Sequence, residues 1–109
     1  MRIYISGSIT NDPNYRTRFW VAQMRLQEQH PEAQIFNPAE AHDKMPKWME
    51  HKHYMELCRI ELSWCDTVYF LRDWEVSKGS RMEREWAEDW GLTIIEEVDN
   101  RNKKGDGYV

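Results

Sequence analysis

Residues 66–95 read DTVYFLRDWEVSKGSRMEREWAEDWGLTII. DTVYFL (66–71) is a short run rich in β-branched and aromatic residues, the pattern of a buried strand. Residues 72–78 form a loop. Residues 79–90 follow a helical rhythm, and Gly91 suits the left-handed residue that closes a helix. LTII (92–95) is a second strand. Two short strands joined by a helix make a β-α-β unit, and such units place their strands parallel in one sheet.

Working outward, the same alternation continues. RIYIS (2–6) is a strand that stops at Gly7. Asn11-Asp12-Pro13 offers a cap and a proline for the first turn of a helix expected over 13–30. Within it Tyr15, Phe19, Ala22 and Leu26 recur at helical spacing, and Pro31 stops it. Residues 33–36 form a short strand ended by Asn37-Pro38. Residues 39–45 are irregular, with room for one helical turn. Pro46 opens a long helix reaching Trp64, with Tyr54, Leu57, Cys58 and Cys65 along one side. The order β-α-β-α-β-α-β predicts an α/β, flavodoxin-like (Rossmann-like) three-layer sandwich with a four-stranded parallel sheet, order 2-1-3-4. One domain is expected over 1–98, followed by a polar, mobile tail over 99–109. Ligands of such sheets bind beyond the carboxyl ends of the strands, where the strand order reverses. Residues 7–10 and 73–78 meet there.

Length and composition bound the rest. The chain has 109 residues, enough for one core. Its formal net charge is −4 and its pI is near 5.5, without a basic stripe, which argues against a nucleic-acid polymer as partner. Apolar runs are too short to cross a membrane, and the N-terminus lacks the apolar core of a signal peptide. A cytoplasmic protein is expected. If Cys58 and Cys65 share one helix, about 10 Å of rise separates them, beyond disulfide reach, so reduced thiols are expected. The six tryptophans are open to roles in core, interface or stacking surface.

Chemistry concentrates at the predicted crevice. Glu83, Trp86, Ala87 and Trp90 form the stripe expected to face the sheet, whereas Glu85, Glu88 and Asp89 fall on the outer face. A carboxylate facing inward must find donors or shift its pKa. Two readings of Glu83 stand: a capping-box partner of Ser80, or a nucleophile or base facing a ligand. Ser77, Gly79 and Ser80 at a helix N-terminus suit an anion such as phosphate, and Gly7-Ser8 after the first strand borders the same crevice. His51 and His53 are two apart and point different ways on a helix, so no metal is expected. The Trp48-Met49 and Tyr54-Met55 pairs read as core or interface. There is no P-loop and no GxGxxG fingerprint, and no cofactor is expected.

Taken together, YISGSIT (4–10), Asn37-Pro38, Tyr54-Met55 and CDTVYFLRDWEVSKGSRMERE (65–85) resemble the nucleoside 2-deoxyribosyltransferase-like proteins. The resemblance is strongest to a small bacterial and phage subgroup catalogued as a domain of unknown function, and it covers the chain to about Ile95. It implies cleavage of the N-glycosidic bond of a nucleoside or nucleoside 5′-monophosphate, with Glu83 as nucleophile on the anomeric carbon. It implies that Ser77, with Gly79, holds the 5′-phosphate, that Gly7, Ser8 and Ile9 line the sugar and phosphate, and that Tyr4 lies nearby. It also implies a homo-oligomer whose sites are completed by a neighbour. Enzymes of the family carry an aspartate eight residues before the aspartate matched by Asp66; here that position is Cys58. A thiol accepts hydrogen bonds weakly, and Glu61, one turn on, is the alternative carboxylate.

Three functions are therefore expected in competition. One is an N-glycosidase or deoxyribosyltransferase. The second is a non-catalytic nucleotide-binding module, sensor or sequestering protein, which the Cys58 replacement motivates. The third is an interaction protein that uses its tryptophans for assembly.

Overall fold

The computed structural model describes residues 1–98; the expected polar tail, 99–109, lies outside the described residues. Four strands form one parallel sheet: β1 (Arg2–Ser6), β2 (Gln34–Phe36), β3 (Thr67–Phe70) and β4 (Thr93–Glu96), in the order β2-β1-β3-β4. The helices are α1 (Tyr15–Gln29), α2 (Pro38–Asp43), α3 (His51–Ser63) and α4 (Lys78–Asp89). They pack around the sheet as a flavodoxin-like sandwich, with the strand order that the sequence predicts.

Side chains of successive strand residues leave a sheet on opposite faces, and β1 uses both. Ile3 and Ile5 join Phe19, Ala22 and Leu26 of α1 in one core. Tyr4 joins Tyr54, Met55, Cys58 and Leu62 of α3, and Ala87 of α4, in the other. Ser6 shares the Tyr4 face. Val68 and Phe70 of β3 belong to this second core as well. The alternation of RIYIS thus decides that Tyr4 and Ser6 point at α3 and α4.

Several boundaries differ from the sequence expectation, each for a local reason. α1 begins at Tyr15, not Pro13. The Asp12 carboxylate accepts from the Asn14 N–H at 2.8 Å, and the Tyr15 N–H donates to the Asp12 carbonyl at 3.2 Å, so Pro13 sits in a preceding turn. Residues 39–45 contain a regular element: α2 is capped by Asn37, whose side chain accepts from the Ala39 N–H at 3.0 Å. Pro46 does not open α3. Residues 46–49 form a separate turn closed by Met49 N–H to the Pro46 carbonyl at 3.0 Å. The extended Glu50 (φ −80°, ψ 156°) breaks the chain before α3 starts. α3 ends at Ser63, so Cys65 lies beyond it; both cysteines are free and buried.

The expected loop 72–78 holds a single 3-10 turn, Trp74–Val76, preceded by Asp73 in the left-handed region at φ 68°. Trp74 packs on Phe70, with ring centroids 5.2 Å apart, and the Arg84 guanidinium lies 4.9 Å from the Trp74 ring centre. α4 ends one residue before Trp90, and Gly91 takes φ +68° as expected. The inward stripe of α4 is narrower than the sequence suggests. Ser80, Glu83 and Ala87 are buried, while Trp86 is half-buried and Trp90 is exposed. Those two rings stack at 6.3 Å, with the Arg59 guanidinium of α3 over both, and Trp86 still packs against the edge of the core. Trp48 is 77% exposed and belongs to no core.

The carboxyl ends of the strands are tied by Arg18. It donates to the Asp12 carboxylate at 2.7 Å and to the Arg72 carbonyl at 2.6 Å. The Arg72 N–H in turn donates to Glu97 at 2.7 Å. Loops following β1, β3 and β4 are thereby held together beside the switch point.

Candidate active site

Four chain segments build the site: β1 with the loop after it, α4 with the turn before it, α2 and α3. β1 supplies Tyr4 and Ser6 and runs into Gly7, whose neighbour Leu71 follows β3. The Leu71 N–H donates to the Ser6 carbonyl at 2.8 Å, the last rung between these strands. A Cβ on Gly7 would lie 2.6 Å from Leu71 Cδ1 and 3.0 Å from Leu71 Cβ. The approach of β3 therefore requires glycine there.

α4 is the second segment. Its N-cap is Ser77, whose hydroxyl accepts from the Ser80 N–H at 3.2 Å. The capping-box reading, with Ser80 as cap and Glu83 at the third position, is thus corrected: the helix starts three residues earlier than that reading requires, because Ser77 already satisfies the first turn. Glu83 falls deeper in the helix and faces β1. Its Oε2 accepts from the Tyr4 hydroxyl at 2.6 Å and its Oε1 from the Ser6 hydroxyl at 2.6 Å. Ser6 Oγ also lies 3.0 Å from Ser80 Oγ.

Glu83 is 5% exposed. Burial raises its pKa to about 7; the Ser6 and Tyr4 hydroxyls pull it down in part, and the charge of Glu61 adds to the rise. Tyr4 is held well above the usual phenol range by burial and by the neighbouring Glu83. Near neutral pH, then, the pocket holds a carboxyl poised between its two states beside a phenol that stays protonated.

A cavity of about 170 Å³ opens over this carboxyl. β1 and the loop after it contribute Tyr4, Gly7, Ile9, Thr10 and Asn11 to its wall. α2 adds Pro38 and His42. His51, Tyr54 and Met55 come from α3, and residues 76–81 with Glu83 close the α4 side. The N–H groups of Lys78 and Gly79 lie in the first turn of α4, where a helix offers them no internal acceptor, and the positive end of the helix dipole faces the same space.

Of the sequence candidates, Glu83, Tyr4, Gly7, Ile9, Ser77 and Gly79 line this one cavity. Ser8 does not: it is buried, and its hydroxyl has no partner among the described residues. Cys58 and Glu61 do not line it either. The Cys58 thiol is buried among the Tyr4 and Tyr54 hydroxyls; burial and the Glu83 charge push it up to about 12. The Glu61 carboxyl is raised by its own burial, and one of its oxygens is enclosed without a partner among the described residues. Asp66 accepts from the Arg2 N–H at 3.1 Å and from the Thr67 hydroxyl at 2.7 Å, so it pins the start of β3 to β1 far from the cavity.

Among the described residues, Glu83 is the one acidic side chain on the cavity wall. Across from the helix terminus the wall carries two imidazoles and a phenol. The His42 ring packs edge-on against the Tyr54 ring at 5.2 Å and the Tyr15 ring at 5.8 Å, and His51 lies 6.3 Å from Tyr54. Among the described residues, no group of three or more His, Cys, Asp or Glu side chains is placed to hold a metal, and no helix is long and apolar enough to cross a membrane.

A family model described as a domain of unknown function (DUF4406) matches residues 1–96. The chain belongs to the DUF4406 family. The match spans all four strands and all four helices, and so includes every wall of the cavity. No curated protein matches the chain, and no solved structure matches it.

Sequence reasoning missed Ser6, Asn11, His42, Tyr54 and Arg81 as candidate site residues, placed Thr10 and Lys78 only within the loops that meet at the crevice, and treated His51 only as a failed metal ligand. Ser6 had a usable signal: it shares the parity of Tyr4 on β1. His42 had none, since its placement depends on how α2 returns across the sheet.

Proposed function

We propose that this protein binds a nucleoside 5′-monophosphate in the cavity over Glu83 and cleaves its N-glycosidic bond. The observation that carries the reading is the placement of one buried carboxyl, held by Tyr4 and Ser6, under a cavity that the N-terminus of α4 also lines. The two ends suit the two ends of such a substrate. The 5′-phosphate meets the Ser77 hydroxyl, the free N–H groups of Lys78 and Gly79, and the Lys78 and Arg81 side chains. The anomeric carbon lies over Glu83.

Ionised Glu83 attacks the anomeric carbon as the bond to the base breaks, giving a glycosyl ester. Water then yields the free sugar phosphate, and a second base yields a new nucleotide. The departing base needs a proton, and with Glu83 as the one acid among the described residues of the wall, His42 and His51 are the groups of suitable chemistry facing it. The likeness of residues 4–10 and 65–85 to nucleoside 2-deoxyribosyltransferase-like proteins supports the same assignment, and with it a homo-oligomer.

The test is release of free base from a panel of nucleosides and their 5′-monophosphates, followed by chromatography. Release that is faster with monophosphates and lost in Glu83→Gln is expected. No release from any member, or equal release by Glu83→Gln, sinks the reading.

One observation favours a second reading, a binding module without turnover. The position where related enzymes carry a carboxylate holds the thiol of Cys58, buried, neutral and off the cavity wall. This reading expects calorimetric binding of a nucleoside monophosphate that survives in Glu83→Gln, without base release.

A further inference from the structure

Ser6 and Ser80 are both buried, at 0% and 1% exposure, and their hydroxyls are 3.0 Å apart. Ser6 is also 2.6 Å from Glu83 Oε1. A hydroxyl has a single proton, so Ser6 cannot donate to both neighbours at once. When Glu83 is ionised it can only accept, and Ser6 must donate to it. Ser80 then donates inward to Ser6. When Glu83 carries a proton on Oε1, that proton is donated to Ser6, Ser6 turns to Ser80, and the Ser80 proton is freed toward the cavity that Ser80 helps to line. Burial keeps water from breaking the chain at Ser6.

We propose that Ser6 and Ser80 are positioning residues that act as one reversible hydroxyl relay, so that the protonation state of Glu83 decides whether Ser80 offers the cavity a donor or only lone pairs. The relay rests on the Glu83-centred site of the proposed function, but it concerns the free protein and needs no turnover. Its consequence for ligand choice is direct. With Glu83 ionised, the Ser80 oxygen favours a donor group on the ligand. With a proton on Glu83 Oε1, the same oxygen favours an acceptor.

Other groups facing Glu83 must be set beside it. Tyr4 of β1 donates to the opposite oxygen, and Glu61, Cys58 and Tyr54 of α3 lie within electrostatic reach. His42, His51, Lys78 and Arg81 line the cavity above. None of them touches the Ser6–Ser80 pair by a hydrogen bond, so removing the Ser80 hydroxyl isolates the relay from them.

The experiment follows the Glu83 carboxyl directly, by carbon NMR of the full chain labelled at the glutamate side-chain carboxyl carbon, with Glu83→Gln assigning the signal. Ser6→Ala, Ser80→Ala and the double variant are titrated alongside the wild type, and thermal unfolding confirms that each is folded. Ser6→Ala removes a donor to the charged form, so its Glu83 transition should rise by about 0.5–1 pH unit. Ser80→Ala should move it the same way by a smaller amount. The double variant should match Ser6→Ala alone, because without Ser6 the Ser80 hydroxyl has no path to Glu83. An unmoved transition in Ser80→Ala, or shifts that simply add in the double variant, overturns the relay. No nucleotide is present in these titrations, so the relay can fail while base release succeeds, and the reverse.

Discussion

The Tyr4 hydroxyl donates to Glu83 Oε2 at 2.6 Å across 79 residues of chain. One bond thus joins the first strand to the last helix and aims the carboxyl at the cavity. Glu83→Gln keeps most of this arrangement. The amide oxygen accepts from Tyr4, and the amide nitrogen donates to Ser6, which turns to Ser80. A folded variant with base release reduced by roughly 10³-fold or more is expected for loss of a nucleophile, read by chromatography together with circular dichroism.

Stability should fall as pH rises. Glu83 titrates near 7 in the folded chain, against an ordinary value of 4.5, chiefly because burial disfavours its charge. Between those values the folded state holds a proton that the unfolded chain has released. The contribution is present in full below about 4.5 and is lost as pH rises through about 7. Relative to Glu83→Gln, the wild type should lose roughly 3 kcal/mol between pH 4.5 and 8, measurable by urea unfolding at each pH. A constant difference between the two proteins across that range would contradict the assignment.

Turnover should run the other way. A nucleophilic carboxylate must be ionised, so kcat/KM should rise with pH to a plateau above about 7. Tyr4→Phe removes a donor to the charged form and should move that limb to higher pH. A limb that stays in place in Tyr4→Phe would separate the pH dependence from Glu83.

Gly7 and Gly79 both line the cavity, yet alanine should affect them differently. At Gly7 a Cβ meets Leu71 Cδ1 at 2.6 Å and Leu71 Cβ at 3.0 Å, and the latter atom is fixed to the backbone. Gly7→Ala should cost roughly 1–3 kcal/mol by overpacking. At Gly79 the nearest atoms are Met55 Sδ at 3.1 Å and Cε at 3.5 Å, on a flexible side chain that can yield. Gly79→Ala also lowers the entropy of the unfolded chain, so its stability should stay within about 1 kcal/mol of the wild type. Thermal melts of the two variants decide the matter.

Cys58→Asp places a carboxylate in a 1% exposed position near Glu83 and Glu61. Two burdens add there, desolvation and like charge. The variant should be destabilised by several kcal/mol at pH 8 and by less at pH 5, where the carboxyls hold protons. Equal destabilisation at both values would point to misfit of shape instead of charge.

The alternation of short strands and amphipathic helices was enough to read the sheet order, because parallel β-α-β units leave few solutions. The inward turn of Glu83 was legible for a similar reason: helical periodicity is local. What escaped the sequence depended on competition between neighbours. Ser77 and Ser80 are equally good caps on paper, and the choice between them falls to the chain path out of the 3-10 turn. Pro46 is a good helix opener, but the extended Glu50 intervenes before α3. Trp86 and Trp90 share a spacing that suits burial, yet they stack on each other beneath Arg59 of α3, and only Ser80, Glu83 and Ala87 of α4 are fully buried. Cavity-wall residues from α2 and α3 meet only after both helices have crossed the sheet, so no sequence window contains them together.

Trp74 gives the protein an optical property of its own. Its indole packs on Phe70 at the end of β3 and under the Arg84 guanidinium, while the turn it belongs to runs directly into Val76 and Ser77 on the cavity wall. A cation against an indole perturbs its excited state, so any ligand that draws this turn toward the cavity changes that contact and the emission with it. With Trp74 left as the sole fluorophore of its kind, by phenylalanine at the other five tryptophan positions, the chain becomes a label-free sensor of its own occupancy.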